Sequence, residues 1–342
     1  MMDNLLYTQY GFEIYKNKIW FVPFSVNMLC GYSLDNCKID FKELLLDESV
    51  ERALSYNTVE LDGRLLSIPA RGTNLYALNE SFQLSQYSVG ESSTKEKYAP
   101  ACKINSSIII FPIEALDILI IQGDEISRIQ WNQGVVLSCT ACKNKAYFTN
   151  GTSNIYSITE SGCISNIRIT NMDKICGVQF WKELTIAVSS DGGVYLIDLN
   201  KGKCMRQLLI ANKGDYFISS VIHNDKLYLF PNNDYTTIYI YDFFADSVAH
   251  LSISKDENIN EKWLYNSFGV PKVYDSKIYV MSPKHNALLV IDNDNVEKKI
   301  ISLEVSYEEK TKLMKSKLKK KYIVSENDIF SLDVFIDILN KE

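Results

Sequence analysis

Apolar and polar residues alternate along this chain in short runs, and the runs return at regular intervals. Seven segments (IWFVP, LLSIP, IIIFP, AYFTN, LTIAVS, LYLFP and IYVMSP) each follow a short polar turn. The turns are Lys16-Asn17-Lys18, Asp62-Gly63-Arg64, Asn105-Ser106-Ser107, Lys143-Asn144-Lys145, Trp181-Lys182-Glu183, Asn224-Asp225-Lys226 and Asp275-Ser276-Lys277. A polar turn next to β-branched and aromatic runs predicts a hairpin. Proline closes five of the seven segments, at Pro23, Pro69, Pro112, Pro231 and Pro283. A residue without an N–H belongs where a strand stops. A loop then leads to a third run: YSLD, LYALN, LIIQG, IYSIT, VYLID, IYIYD and LLVID. Here Tyr32, Tyr76, Leu119, Tyr156, Tyr195, Tyr239 and Leu289 form one column. Leu34, Leu78, Ile121, Ile158, Ile197, Tyr241 and Ile291 form a second, two positions on. Apolar columns two apart mark strand faces packed between neighbouring sheets. An Asp, Asn or Gly usually ends this run and begins the turn into a fourth, as in Phe82 to Val89 or Cys204 to Ile210.

Each unit therefore predicts strand, tight turn, strand, longer loop, strand, turn, strand. The central turn residues lie 46, 43, 38, 38, 43 and 51 positions apart, which is the length of one four-stranded blade. A four-stranded unit alone leaves two apolar faces bare, so the units must stack and the ring must close. The prediction is an all-β fold: a seven-bladed β-propeller over residues 1–303 with a short C-terminal helical extension over 304–342. The ring itself spans 5 to 303, and Leu5 to Tyr10 is a segment able to complete the last blade.

Units such as KNKIWFVP…YSLD, NDKLYLFP…IYIYD and DSKIYVMSP…LLVID resemble kelch- or quinoprotein-type blades. More closely, they resemble a set of uncharacterised bacterial cytoplasmic propellers built from the same phrase. The resemblance covers residues 5 to 303. It implies the fold and is nearly silent on activity, because propellers host many unrelated functions. The chain departs from the better-known types: a Gly-Gly doublet occurs once, at Gly192-Gly193, the regularly spaced quinoprotein tryptophan is missing, and there is no WD dipeptide. No quinone or other cofactor is therefore expected.

Composition adds limits. With 46% hydrophobic residues and a net charge of −6, the chain has an ordinary globular make-up and enough apolar residues for a large core. The start, MMDNLLYTQYGFEIYKNK, has no basic region followed by an apolar stretch, so no secretory signal is expected. The longest apolar candidate, Ile108 to Ile121, is broken by Pro112, Glu114 and Asp117, so no membrane span is expected. Eight cysteines without a fixed pairing interval read as reduced thiols in a cytoplasmic protein.

Residues 304–342 crowd Lys310, Lys312, Lys315, Lys317, Lys319, Lys320 and Lys321 onto a helical-looking stretch, EEKTKLMKSKLKKK. A second helix is predicted after Ser331, with Leu332, Phe335, Ile336 and Leu339 on one face. The lysines raise nucleic acid or an anionic membrane as partners. Eight basic and eight acidic groups in this segment cancel, so nucleic-acid binding is disfavoured and a solvated helix face preferred.

Catalytic and metal signatures are lacking. Cys139 and Cys142 form the one CxxC, without a second pair or histidines at ligand spacing. On a strand, i and i+3 point to opposite faces, so these read as structural thiols and no metal is expected. His223, His250 and His285 are scattered, and His285, in the loop Pro283-Lys284-His285-Asn286, reads as an exposed loop histidine. GxSxG, P-loop, GxGxxG and HExxH are missing.

A propeller puts the loops between strands two and three on one rim with the blade-to-blade connections, and variable loops on a rigid scaffold carry function. The rim candidates are Arg71, Asn74, Glu114, Asn154, Asp191, Asp234, Tyr235, Lys284 and His285, with Asn150 and Asn232 beside them. Glu60, Lys103 and Gln179 read as one column of channel candidates, and Glu60 and Lys103 are expected to pair. Aromatics open the first strands at Tyr10, Tyr56, Tyr98, Phe217 and Phe268, with Trp131 and Trp263 nearby; they read as wedges between blades or, second, as a grip for a sugar or peptide. The leading expectation is a monomeric, non-catalytic propeller that binds a protein, peptide or carbohydrate through its rim. The alternative is a lyase or hydrolase acting on a sugar or peptide at the channel mouth.

Overall fold

The structure is a computed structural model that describes residues 11–24, 26–46, 48, 53–90, 95–172, 174–210, 217–254, 267–285, 287–293 and 295–322, with backbone alone at 209–210, 218 and 317–322. The described residues form seven four-stranded antiparallel sheets, each in chain order: 13–44, 55–88, 98–130, 138–168, 175–210, 217–252 and 272–300. These are blades 1 to 7 of a β-propeller. The segment Leu5 to Tyr10 lies outside the described residues; blade 7 has four strands of its own, Lys272–Tyr274, Lys277–Ser282, Ala287–Asp292 and Asn295–Ile300.

The polar turns that phase the sequence are two-residue hairpins. Lys16-Asn17, Asp62-Gly63, Asn224-Asp225 and Asp275-Ser276 have both central residues at positive φ, the geometry whose twist matches that of paired strands. Between each pair of neighbouring blades lies one apolar cluster. Leu66, Ile68 and Leu75 of blade 2 meet Ile108, Ile110 and Leu119 of blade 3, and corresponding layers join blades 3 and 4, 4 and 5, 5 and 6, 6 and 7, and 1 and 2. The seventh closes the ring, with Phe12, Ile19, Phe21 and Met28 against Tyr279, Met281, Leu288 and Val290. At roughly 25 cal/mol per Å² of apolar surface removed from water, these layers are what hold sheets that, among the described residues, share no inter-blade ladder.

The third-strand columns match their hairpin partners in six blades, for instance Leu78 opposite Leu65 and Ile121 opposite Ile108. Blade 1 differs. Tyr32 faces Ile19 and so stands in the column of Leu78, while Leu34 lies beyond the strand Met28–Ser33.

The extension begins with a helix, α1 (Tyr307–Tyr322). Ser306 caps it: the Glu309 N–H donates to Ser306 Oγ at 3.2 Å and the Ser306 N–H to Glu309 Oε2 at 2.7 Å, a reciprocal capping box. Lys42 of blade 1 donates to the Glu304 carbonyl at 3.0 Å and lies 2.9 Å from Glu309 Oε1. Leu303 and Val305 pack on the layer between blades 7 and 1, and Leu313 is buried. The first turns of α1 thus dock on the propeller. The helix predicted after Ser331 lies outside the described residues.

Candidate functional site

The axial channel is lined by the first strand of each blade. Glu13 stands at the junction of the last and first blades, its Oε2 3.2 Å from Lys272 Nζ and 3.4 Å from the Glu60 N–H that donates to it. Glu60 accepts from Lys103 Nζ at 3.0 Å, the expected pair, and from the Gly63 N–H at 2.8 Å. Gln179 does not share their column: Glu60 and Lys103 stand opposite Leu65 and Ile108, one position before the hairpin's closing pair, whereas Gln179 stands two before, opposite Ile186. It donates instead to the Ser220 carbonyl of blade 6 at 2.9 Å. Among the described residues, Lys272, Glu13, Glu60 and Lys103 engage one another across blades 7, 1, 2 and 3.

The rim candidates fall into separate groups. In blade 2, Asn74 is buried and donates to Glu48 Oε1 at 3.0 Å. Glu48, 1% exposed, also accepts from the Thr73 N–H (2.8 Å), the Thr73 hydroxyl (3.0 Å) and the Asn74 N–H (2.9 Å). Asn74 is therefore a structural partner of a buried carboxylate rather than a ligand group. Arg71 lies 3.3 Å from Glu96, which also accepts the Tyr56 hydroxyl. Burial holds the neighbouring Lys97 below its ordinary pKa, with Glu48 opposing and Arg128 assisting. Glu114 makes an exposed pair with Lys95 at 3.3 Å. The Asn154 amide donates to Thr152 Oγ1 at 3.3 Å.

Blades 6 and 7 bring four candidates together. Asp234 caps its own loop through the Thr236 N–H and hydroxyl, at 2.8 and 2.7 Å. Lys284 lies over the Tyr235 ring, 5.5 Å from its centroid. His285 is not exposed: only 3% accessible, it sets Nε2 2.6 Å from the Tyr235 carbonyl and Nδ1 3.3 Å from Lys298 Nζ. Nε2 must donate to that carbonyl, and Nδ1 then accepts from the ammonium. The junction aromatics Tyr56, Tyr98, Phe217 and Phe268 are buried, as is Trp131; they are wedges, not a grip. Tyr10 and Trp263 lie outside the described residues.

One open site on the rim lies where the connection from blade 4 enters blade 5. Asn171, Met172, Lys174, Ser189, Ser190, Asp191 and Tyr195 line a cleft of about 460 Å³, within the usual size range of ligand pockets. The Gly192-Gly193 doublet lies between two of its lining residues, Asp191 and Tyr195. Gly192 has φ 82°, which favours glycine, and a Cβ on Gly193 would strike the Tyr195 ring. Asp191 accepts the Gly193 N–H at 2.9 Å. Asn171 and Lys174 hold φ of 61° and 54°, a sparsely populated region in which a lysine is strained. Among the candidates only Asp191 reaches this cleft. The others were hidden because left-handed loops of Asn and Lys leave no motif.

Next along the rim, Leu116 (73% exposed), Val135 (39%) and Leu137 (43%) are bare. Backbone bonds tie this stretch to the cleft: Trp131 N–H to the Leu116 carbonyl (2.8 Å), Val136 N–H to Pro112 (2.9 Å), Leu137 N–H to Thr149 (2.8 Å) and Gly151 N–H to Ile175 (3.2 Å).

The class is thus a seven-bladed propeller with a partly open rim. Similar solved structures include a streptogramin B lyase (TM-score 0.65, 11% identity, covering 83% of this chain and 93% of that one). Virginiamycin B lyase from Staphylococcus aureus (0.62, 13%, 81% and 92%) and the WD40 propeller domain of Doa1 (0.60, 13%, 82% and 91%) are also similar. At these identities the likeness is one of fold. No protein-family model and no curated protein sequence matches the chain. Among the described residues no helix is long and apolar enough to cross a membrane, and no cluster of three or more His, Cys, Asp or Glu could hold a metal.

Proposed function

We propose that this chain is a recognition module that binds a protein partner through the rim of blades 3 to 5. The observation that carries the reading is the bare row Leu116, Val135 and Leu137 beside the polar cleft of Lys174 and Asp191. Apolar anchors next to hydrogen-bonding groups suit a protein surface or peptide better than a sugar, which needs few aliphatic contacts. The alternative, a channel-mouth lyase or hydrolase, draws less support because Glu13 and Glu60 are engaged with Lys272 and Lys103.

The test compares the wild-type chain with Leu116→Asp/Leu137→Asp and with Lys174→Glu. Any partner captured by the wild type should protect 112–137 and 171–195 from amide exchange. The double variant should lose at least about tenfold in affinity, an anchor-sized effect, with an unchanged melting temperature. Equal binding by the variants, or stabilisation by free saccharides and not by the partner, overturns the reading.

A further inference from the structure

Two thiols meet where blades 3 and 4 line the channel. Cys102 stands on the first strand of blade 3 opposite Ile109, and Cys139 on that of blade 4 opposite Phe148. Ile109 and Phe148 are fully buried in the layer between these blades, and both cysteines pack on that same layer. Each sulfur is therefore carried by backbone that cannot drift far from its neighbour. Cys102 and Cys139 thus approach one inter-blade layer from two adjacent first strands, and both are partly buried. The Cys102 contact and burial push the Cys139 thiol up in pKa, while the Lys272 ammonium of blade 7 pulls it down.

The other member of the CxxC is differently placed. Cys142 lies three positions on from Cys139, opposite Lys145 at the hairpin end, and its charged neighbours are Lys143 and Glu183. The spacing that draws the eye in the sequence is thus not the pair that meets in space.

We propose that Cys102 and Cys139 form a dithiol modification site, which a low-molecular-weight disulfide converts to a disulfide between blades 3 and 4. The thiolate of one cysteine attacks a sulfur of the small disulfide RSSR. Its S–S bond breaks, a mixed disulfide forms, and RS⁻ leaves carrying the electron pair and takes up the proton the cysteine lost. The second cysteine, deprotonated in turn, attacks the protein sulfur of the mixed disulfide and expels the second RS⁻, which is likewise protonated. Two protein thiols are oxidised and one RSSR is reduced to two RSH. The product closes a loop from 102 to 139, restricting the unfolded chain and pinning two first strands together at the channel.

The experiment uses the full chain and oxidised glutathione. After incubation the protein is alkylated and mapped as unreduced peptides, and its melting temperature is read with and without reductant. A crosslinked peptide joining Cys102 to Cys139 is expected, with a reversible rise in melting temperature on the order of 5 °C. Cys102→Ser and Cys139→Ser should each retain glutathione on the remaining cysteine, because the resolving thiol is gone. Phenylarsine oxide, which bridges paired thiols, should protect both cysteines from alkylation in the wild type and neither in the variants. The proposal is overturned if no 102–139 crosslink forms, if Cys139 links to Cys142 instead, or if glutathione stays on both cysteines of the wild type.

Discussion

The Nζ of Lys272 stands 3.2 Å from Oε2 of Glu13, and that ion pair joins the last blade to the first. Among the described residues each blade is built from consecutive strands, so the seam is held by side chains, here and in the apolar layer of Phe12 and Phe21 against Met281 and Leu288. Glu13 also accepts the Glu60 N–H at 3.4 Å, tying blade 2 to the same carboxylate. Glu13→Gln should therefore lower the unfolding free energy by about 1 kcal/mol, since both side chains are partly exposed and screened. Urea titration at low and high salt checks it, and salt should lower the wild-type midpoint more than that of the variant.

Glu48 is the more consequential acid. It is buried and accepts from the Thr73 backbone and hydroxyl and from the Asn74 backbone and amide. Glu48→Ala leaves those donors without their acceptor, and each buried donor so stranded costs about 1–3 kcal/mol. The expected loss is about 3 kcal/mol by denaturant unfolding. Glu48→Gln, which keeps an acceptor oxygen, should recover part of it.

Much of the fold was legible because its signal is local. Two-residue turns with left-handed residues, such as Asn224-Asp225, and period-two columns are written in neighbouring positions. Blade 1 slipped by one column because Leu34 looks like a strand residue in YSLD, whereas Ser33, opposite Lys18, is the last to pair and Leu34 opens the turn. The site was less legible because its partners are distant in sequence. Nothing near Asn74 announces Glu48, and nothing near His285 announces the Tyr235 carbonyl that buries it. The sequence already sets Cys139 and Cys142 on opposite faces of their strand, but nothing near Cys139 announces Cys102, which packs on the same inter-blade layer.

The docking of α1 should be sensitive to acid. Burial acts to raise the Glu309 carboxyl, but the Lys42 ammonium, the Ser306 N–H and the Ser306 hydroxyl outweigh it and hold the group below its ordinary value. A depressed folded pKa means that the stabilisation is complete above the unfolded glutamate value and disappears as the pH falls through the folded one. The stability difference between wild type and Glu309→Gln should therefore be present at neutral pH and vanish as the pH falls below the ordinary glutamate range. Chemical denaturation across that range measures it. A difference that persisted in acid would show that Glu309 acts by packing rather than by charge.

His285 offers a test of how the rim of blades 6 and 7 is held. Its ring is buried between the Tyr235 carbonyl, 2.6 Å from Nε2, and the Lys298 ammonium, 3.3 Å from Nδ1. With Nε2 donating to the carbonyl, a second proton on Nδ1 would face an ammonium, so the arrangement requires the neutral ring. His285→Ala removes the donor and opens space beneath Tyr235, whose ring lies 5.6 Å from the imidazole. The expected cost is about 2–3 kcal/mol, the sum of a stranded carbonyl and a small cavity. Amide exchange should quicken at 231–237 and 282–285 and stay unchanged in blade 5. If His285→Phe, which fills the space without a donor, restores both stability and protection, packing rather than the hydrogen bond holds this loop.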